Sequence, residues 1–227
     1  MKENKIHPTA IIGKNVEMGY GNVILPYTII EGNVRIGNNN VIGPHVIAGC
    51  PATDTKHVDY GYENSCVYIG DNNEIREFSL IEQPCYEEHT IIGNNVFIMQ
   101  GVHISHDVWV QDKAVITNTS VLAGIVKVME GANIAMACTI NQYTVIGQYS
   151  IVATNSACMK NVRPFSRYIP GKPISVNKYA IEKYGFTEYY EEIEDYVLRN
   201  IPPHSEKISS IVSEFDKWVA KYGHQTY

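Results

Sequence analysis

The feature that most constrains this chain is a period of six. From Ile6 an apolar residue recurs at Ile12, Met18, Ile24, Ile30, Ile36, Ile42 and Ala48. The period resumes at Ile69, Ile75 and Ile81, then restarts at Ile92. From there it runs through Ile98, Ile104, Val110, Ile116, Leu122, Val128, Ile134, Ile140, Ile146 and Val152 to Cys158 without a slip. The fifth residue of most hexads is small or β-branched, as at Thr28, Val34, Val46, Ser79, Val102, Val126 and Ser150. Six is neither the helical period of 3.6 nor the simple alternation of a strand. It fits a short strand and a turn, repeated, with the aliphatic side chain pointing inward. Gly or Asn, as in Ile36-Gly37 and Asn38-Asn39-Asn40, is expected to take the turn that needs a positive φ. The predicted fold is mainly β, a parallel β-helix whose neighbouring coils hydrogen-bond strand to strand.

Composition agrees with this. The 227 residues include 29 Ile and 22 Val but 4 Leu, and β-branched side chains suit strands better than helices. A formal net charge of −6 disfavours broad binding to nucleic acid or to an anionic membrane surface. No apolar run of 18 residues and no signal-like segment near Met1 is present, so no membrane span is expected. The five cysteines are scattered with no C-x-x-C pair, which indicates neither a zinc site nor a redox motif. A reducing, cytoplasmic setting is the simplest expectation.

The period divides the chain into a β-helix over residues 1–175 and a helical tail over 176–227. Two loops leave the coil, at about 49–67 and 83–90, and loops on a rigid scaffold are favoured places for function. In the tail, Ile208, Ile211, Val212, Phe215, Trp218, Val219 and Tyr222 form one helical stripe. Tyr189, Tyr190, Ile193, Tyr196 and Val197 form another, with Thr187 as candidate N-cap. The tail is expected to cap the open end of the β-helix. The acidic run Glu188, Glu191, Glu192, Glu194, Asp195 reads as a solvated helix face.

The stretch Val102-His103-Ile104-Ser105-His106-Asp107 is the most suggestive for chemistry. Both histidines stand outside the inward phase. A neutral imidazole is a good general base, and an adjacent carboxylate raises its basicity and sets its tautomer. The hexads resemble those of the hexapeptide-repeat acyltransferases, which implies three hexads per coil; on that resemblance a step of 18 residues moves one coil along the same corner, from His106 to Gly124 and then Gln142, at about 4.8 Å per coil. A glycine there offers a bare N–H to a developing oxyanion, or simply makes a turn.

The same resemblance implies a left-handed helix of triangular section. Residues 102–186 are more specifically similar to the UDP-N-acetylglucosamine O-acyltransferase family of lipid A synthesis. The matching stretches are the His-Asp segment, Leu122-Ala123-Gly124, Thr139-Ile140-Asn141-Gln142-Tyr143 and Ile181-Glu182-Lys183-Tyr184-Gly185-Phe186. Upstream, Ile6-His7-Pro8-Thr9-Ala10 and Ile69 to Glu77 also match.

The resemblance implies catalytic roles for His106 (base), Asp107 (its assistant) and Gly124 (oxyanion donor). It implies substrate contacts for Asp54, Lys56, His103, Gln142, Asn177 and Lys183. It further implies an acyl thioester on coenzyme A or acyl carrier protein as co-substrate, no permanently bound cofactor or metal, a nucleotide-linked sugar as acceptor, and a homotrimer with sites between subunits. Departures are Ile125, Asn141 and Glu82 where the family has His, and Tyr184 where it has Arg; these favour an acceptor other than that of the lipid A enzyme. The alternatives are the lipid A activity itself, a non-catalytic β-helix binding protein, or a carbonic-anhydrase-like metal site recruiting His89, His103 and His106.

Overall fold

The computed structural model describes residues 2–55 and 65–227. The chain winds as a left-handed parallel β-helix with a C-terminal helical part. Short strands stack into three sheets, one for each face of the coil. Face A carries Ile24, Ile42, Ile75, Ile98, Ile116, Ile134 and Val152; face B carries Ile30, Ala48, Ile81, Ile104, Leu122, Ile140 and Cys158. Face C carries Ile36, Ile69, Ile92, Val110, Val128 and Ile146. These residues point inward and are buried in one continuous apolar column. The hexad period is thus the coil geometry written in sequence: one inward side chain per face.

In the regular coils partners are 18 residues apart, as in Ile98 with Ile116 and Ile104 with Leu122. The register stretches at two places, where Ile36 pairs with Ile69 and Ile69 with Ile92. Both insertions leave between face B and face C. They follow the strands Ile47–Cys50 and Leu80–Glu82 and return in Cys66–Ile69 and His89–Ile92. The loops therefore emerge at one corner, on the two coils that precede His106.

The turn expectation holds for Asn and is corrected for Gly. Gly37 and Gly70 are not the positive-φ residues. The backbone crowds them: a Cβ on Gly70 would lie 2.6 Å from the Gly93 carbonyl oxygen. The left-handed conformation falls two residues later, at Asn39, Asn72 and Asn95. Other asparagines are interior. Asn22, Asn40 and Asn73 are buried in the slot that other coils fill with Val, Ser or Ala. The Asn22 side-chain oxygen accepts from the Asn40 N–H at 2.9 Å, that of Asn40 from the Asn73 N–H at 2.8 Å, and that of Asn73 from the Val96 N–H at 2.7 Å. Their Nδ2 groups donate to the carbonyls of Gly37, Gly70 and Gly93. A buried amide is tolerable because its partners are supplied by the adjoining coil.

The tail does more than close the end. Helix α1 (Lys178–Lys183) and helix α2 (Tyr190–Arg199) pack on Tyr149 and Phe165 near the last coil, as a cap would. Helix α3 (Glu206–Tyr222), N-capped by Ser205, folds back along face C, where Phe215, Trp218, Val219 and Tyr222 cover Met129 and Val145. The reason is apolar residues on the outward side of face C, which water would otherwise meet. Thr187 is not an N-cap; it opens a 3-10 turn, Thr187–Tyr189. Within the acidic run Glu192 is not simply solvated, since its Oε1 accepts from the N–H groups of His204 and Ser205 at 2.6 and 2.7 Å.

Candidate active site

His106 stands at the corner between faces B and C. Although outside the inward phase, it is 5% exposed, because the second loop lies over it. Its Nδ1 is 2.7 Å from Asp107 Oδ2. That bond places the Nδ1 proton toward the carboxylate and leaves Nε2 as the basic atom. Asp107 adopts φ +61, which turns its carboxylate back toward its own neighbour. Its N–H donates to the buried Thr90 hydroxyl at 2.9 Å.

The Asp107 carboxylate is held by the second loop. Oδ1 accepts from the N–H groups of Cys85 and Glu87, both at 2.9 Å, and Oδ2 from that of Tyr86 at 3.0 Å. A fixed anion against Nδ1 is what a histidine base needs. Burial disfavours the protonated His106, but the hydrogen bond and charge of Asp107, helped by Glu82 and Asp54, outweigh it and raise its pKa above the ordinary value.

Glu82 was noticed in the sequence only as a departure from the family. It is fully buried and organises the site's floor. Its Oε2 accepts from the His106 N–H at 3.0 Å and its Oε1 meets His103 Nε2 at 2.8 Å. The Thr53 N–H and hydroxyl complete its shell. Despite burial, which works the other way, these bonds hold its pKa below the usual carboxylate range. No sequence signal except its position just before the loop marked it. Tyr86 was likewise missed; its hydroxyl donates to Asp54 Oδ2 at 2.9 Å and its ring lies 5.6 Å from that of His106.

Gly124 lies one coil on from His106, as the 18-residue step requires: the Ile125 N–H donates to the His106 carbonyl at 3.0 Å. A Cβ on Gly124 would fall 2.2 Å from Cε1 and 2.5 Å from Nε2 of the His106 ring. Glycine is therefore required here by the imidazole and not by a turn. Gly124 is also outside the positive-φ set, whereas Ile125 adopts φ +64, a rare conformation for a β-branched residue.

The structure brings Asp54, His103, His106, Asp107 and Gly124 together. Asp54 Oδ2 is 4.0 Å from His106 Nε2. Gln142 stands one coil beyond Gly124, whose carbonyl accepts from the Tyr143 N–H at 3.3 Å. Lys56 lies outside the described residues. Asn177 and Lys183 sit at another corner. The Asn177 side chain caps α1 and donates to the Tyr149 carbonyl at 2.8 Å. The Lys183 ammonium lies over the Tyr184 ring, which in turn packs on Tyr149. Among the described residues no three His, Cys, Asp or Glu side chains converge as a metal site, and no helix is long and apolar enough to cross a membrane.

No protein-family model matches the chain. The acyl-[acyl-carrier-protein]–UDP-N-acetylglucosamine O-acyltransferase of Gloeothece citriformis is 31% identical over 140 residues, 60% of this chain and 50% of that protein. The chain spans about half the length of the curated relatives it matches. Among solved structures, the UDP-N-acetylglucosamine acyltransferase of Bacteroides fragilis superposes with a TM-score of 0.72 at 28% identity, covering 94% of this chain and 89% of that one. The UDP-N-acetylglucosamine O-acyltransferase of Moraxella catarrhalis gives 0.73 at 26%, covering 97% and 98%. In sequence and in fold, this chain resembles the hexapeptide-repeat acyltransferases and, among them, the UDP-N-acetylglucosamine acyltransferases.

Proposed function

We propose that the protein is an acyltransferase that moves an acyl group from a thioester, on acyl carrier protein or coenzyme A, to a hydroxyl or amine of a nucleotide-linked sugar. The observation that carries this reading is the seating of the His106 ring, backed by Asp107, directly on Gly124. The acceptor proton passes to His106 Nε2 as the acceptor oxygen or nitrogen attacks the thioester carbonyl. The Gly124 N–H, which donates to no acceptor among the described residues, stabilises the tetrahedral oxyanion. The intermediate collapses, the C–S bond breaks, and the thiolate takes the proton from His106. Asp54, beside Nε2, and His103, held by Glu82, face the acceptor.

The working unit is a homotrimer. Asn177 and Lys183 stand away from His106 within one chain, so contacts to one substrate from both groups require a second copy. Light scattering should give about three times 25.5 kDa; a monomer at assay concentration would remove this arrangement. The setting is cytoplasmic synthesis of lipopolysaccharide or another surface glycan.

The names of the relatives favour UDP-N-acetylglucosamine as acceptor. Ile125 where the family has His and Tyr184 where it has Arg favour a different one, because a lost charge-assisted bond typically costs about 1.5–3 kcal/mol. The deciding assay sets UDP-N-acetylglucosamine with a long hydroxyacyl carrier donor beside an amino- or deoxysugar nucleotide with a short acyl thioester. Faster turnover of the second pair is expected. Equal or faster turnover of the first assigns the lipid A reaction instead, and no transfer with either pair counts against the acyltransferase reading.

A further inference from the structure

The proposed chemistry leaves one buried cation without a task. Lys127 points outward from face C yet is 4% exposed. The rings of Trp109, Trp218 and Tyr222 surround its ammonium, with centroids 5.6, 5.0 and 5.9 Å away. Burial pulls its pKa below that of an ordinary lysine, and the Glu87 carboxylate works against that pull. Glu87 Oε2 lies 3.0 Å from the ammonium. Glu87 Oε1 is taken from the other side by α3, accepting from the Lys221 ammonium at 3.0 Å and from the Tyr222 hydroxyl at 3.2 Å.

The backbone of the same residue belongs to the candidate active site. The Glu87 N–H donates to Asp107 Oδ1, beside the N–H groups of Cys85 and Tyr86. Lys127 also reaches the Asp107 carbonyl, at 3.5 Å. Residues 83–88 form no strand or helix that would hold these amides in place. The side-chain clamp on Glu87 is what ties the cradle to face C and to α3.

We propose that Glu87 is a positioning residue for His106: gripped by Lys127, Lys221 and Tyr222, it holds the amide cradle that fixes the Asp107 carboxylate against the imidazole. This rests on reading His106 as the base. A misplacement of about 1 Å in such a support can cost on the order of a hundredfold in rate.

The primary test is an NMR titration of the His106 imidazole in the full-length protein without substrate, paired with steady-state kinetics. The groups facing the ring are Asp107, Glu82, Asp54 and Tyr86. Glu87→Ala with Lys127→Met removes the clamp without stranding a buried charge. The titration midpoint of His106 should fall, and kcat should fall tenfold or more with the acceptor KM changed less than about twofold. Glu87→Gln with Lys127→Met keeps a carbonyl oxygen to accept from Lys221 and Tyr222 and strands no buried charge, and should stay closer to wild type in both readouts than the alanine variant. Lys221→Ala with Tyr222→Phe leaves the buried Lys127–Glu87 pair matched. It should shift the midpoint in the same direction by less, and it carries the test if the first variant does not fold. An unchanged or raised midpoint in the clamp variants would overturn the proposal, as would a shift in Glu87→Gln with Lys127→Met as large as that in Glu87→Ala with Lys127→Met. Absence of acyl transfer in the wild type would defeat the functional reading alone, since the titration still decides the role of Glu87.

Discussion

Two corners of the β-helix repeat one backbone conformation and fill it with different chemistry. At the corner between faces A and B, Tyr27, His45 and Phe78 adopt φ near +60 on successive coils. Their rings stack at 5.0 and 5.2 Å, and Tyr27 and Phe78 stay 57% and 69% exposed. At the corner between faces B and C, Asp107, Ile125 and Tyr143 take the same conformation. There Thr53, Asp54 and residues 83–88 lie against the coil, His106 and Asp107 are buried, and Asp54, Glu82 and His103 converge on them. The backbone slot is common to both corners. The insertions decide which slot becomes a site, because they exclude water and bring N–H groups that a bare solenoid lacks.

The sharpest way to break this contrast is to remove the base. His106→Ala should lower turnover at least about a hundredfold, the usual range for losing a general base, with the fold intact by circular dichroism. Near-wild-type rates would return the B/C corner to the status of its neighbour.

Next is Asp107→Asn, which tests the pH behaviour of the buried corner. A base must be neutral to act, and Asp107 is the main group that raises the His106 pKa. The acidic limb of kcat/KM should therefore lie above about pH 6.5 in the wild type and move to lower pH in the variant, with a lower plateau. The sign for stability is the companion check. A raised histidine pKa contributes stability that is fully present below the unfolded value, near pH 6.5, and is lost as pH rises through the folded value. Asp107→Asn should remove that contribution, so its urea midpoint should depend less on pH over the same window.

Asn40→Ala probes the coil beneath both corners. It takes partners from the Asn73 N–H and the Gly70 carbonyl. An orphaned buried polar group costs about 1–3 kcal/mol, read as a lower urea midpoint with activity per folded molecule unchanged.

The smallest effect is expected at the open corner. Phe78→Asn gives up an exposed stack and gains a residue suited to φ +62. Stability should move by less than about 1 kcal/mol, the scale of such a ring pair. A larger loss would mean that the aromatic corner is covered in the working molecule.

The hexad period determined the β-helix and its inward residues; the stacking of Gly124 on His106 followed once the family resemblance implied three hexads per coil. One inward side chain per face and 18 residues per regular coil make sequence spacing equal to spatial register. The same arithmetic says nothing across an insertion. Thr53 and Tyr86 reach the site on loops whose path has no period, and Glu82 ends the strand just before one of them. Glu87 meets Lys221 of α3 across 134 residues of chain, a contact that depends on how the apolar face of α3 covers face C. The buried asparagines were visible as a run but not as a ladder, since a polar side chain in a core slot is stable only when the next coil supplies its partners. Local repetition wrote the scaffold into the sequence. Packing between distant segments decided which of its corners buries a charged pair, because burial and hydrogen-bond satisfaction are properties of the assembled fold.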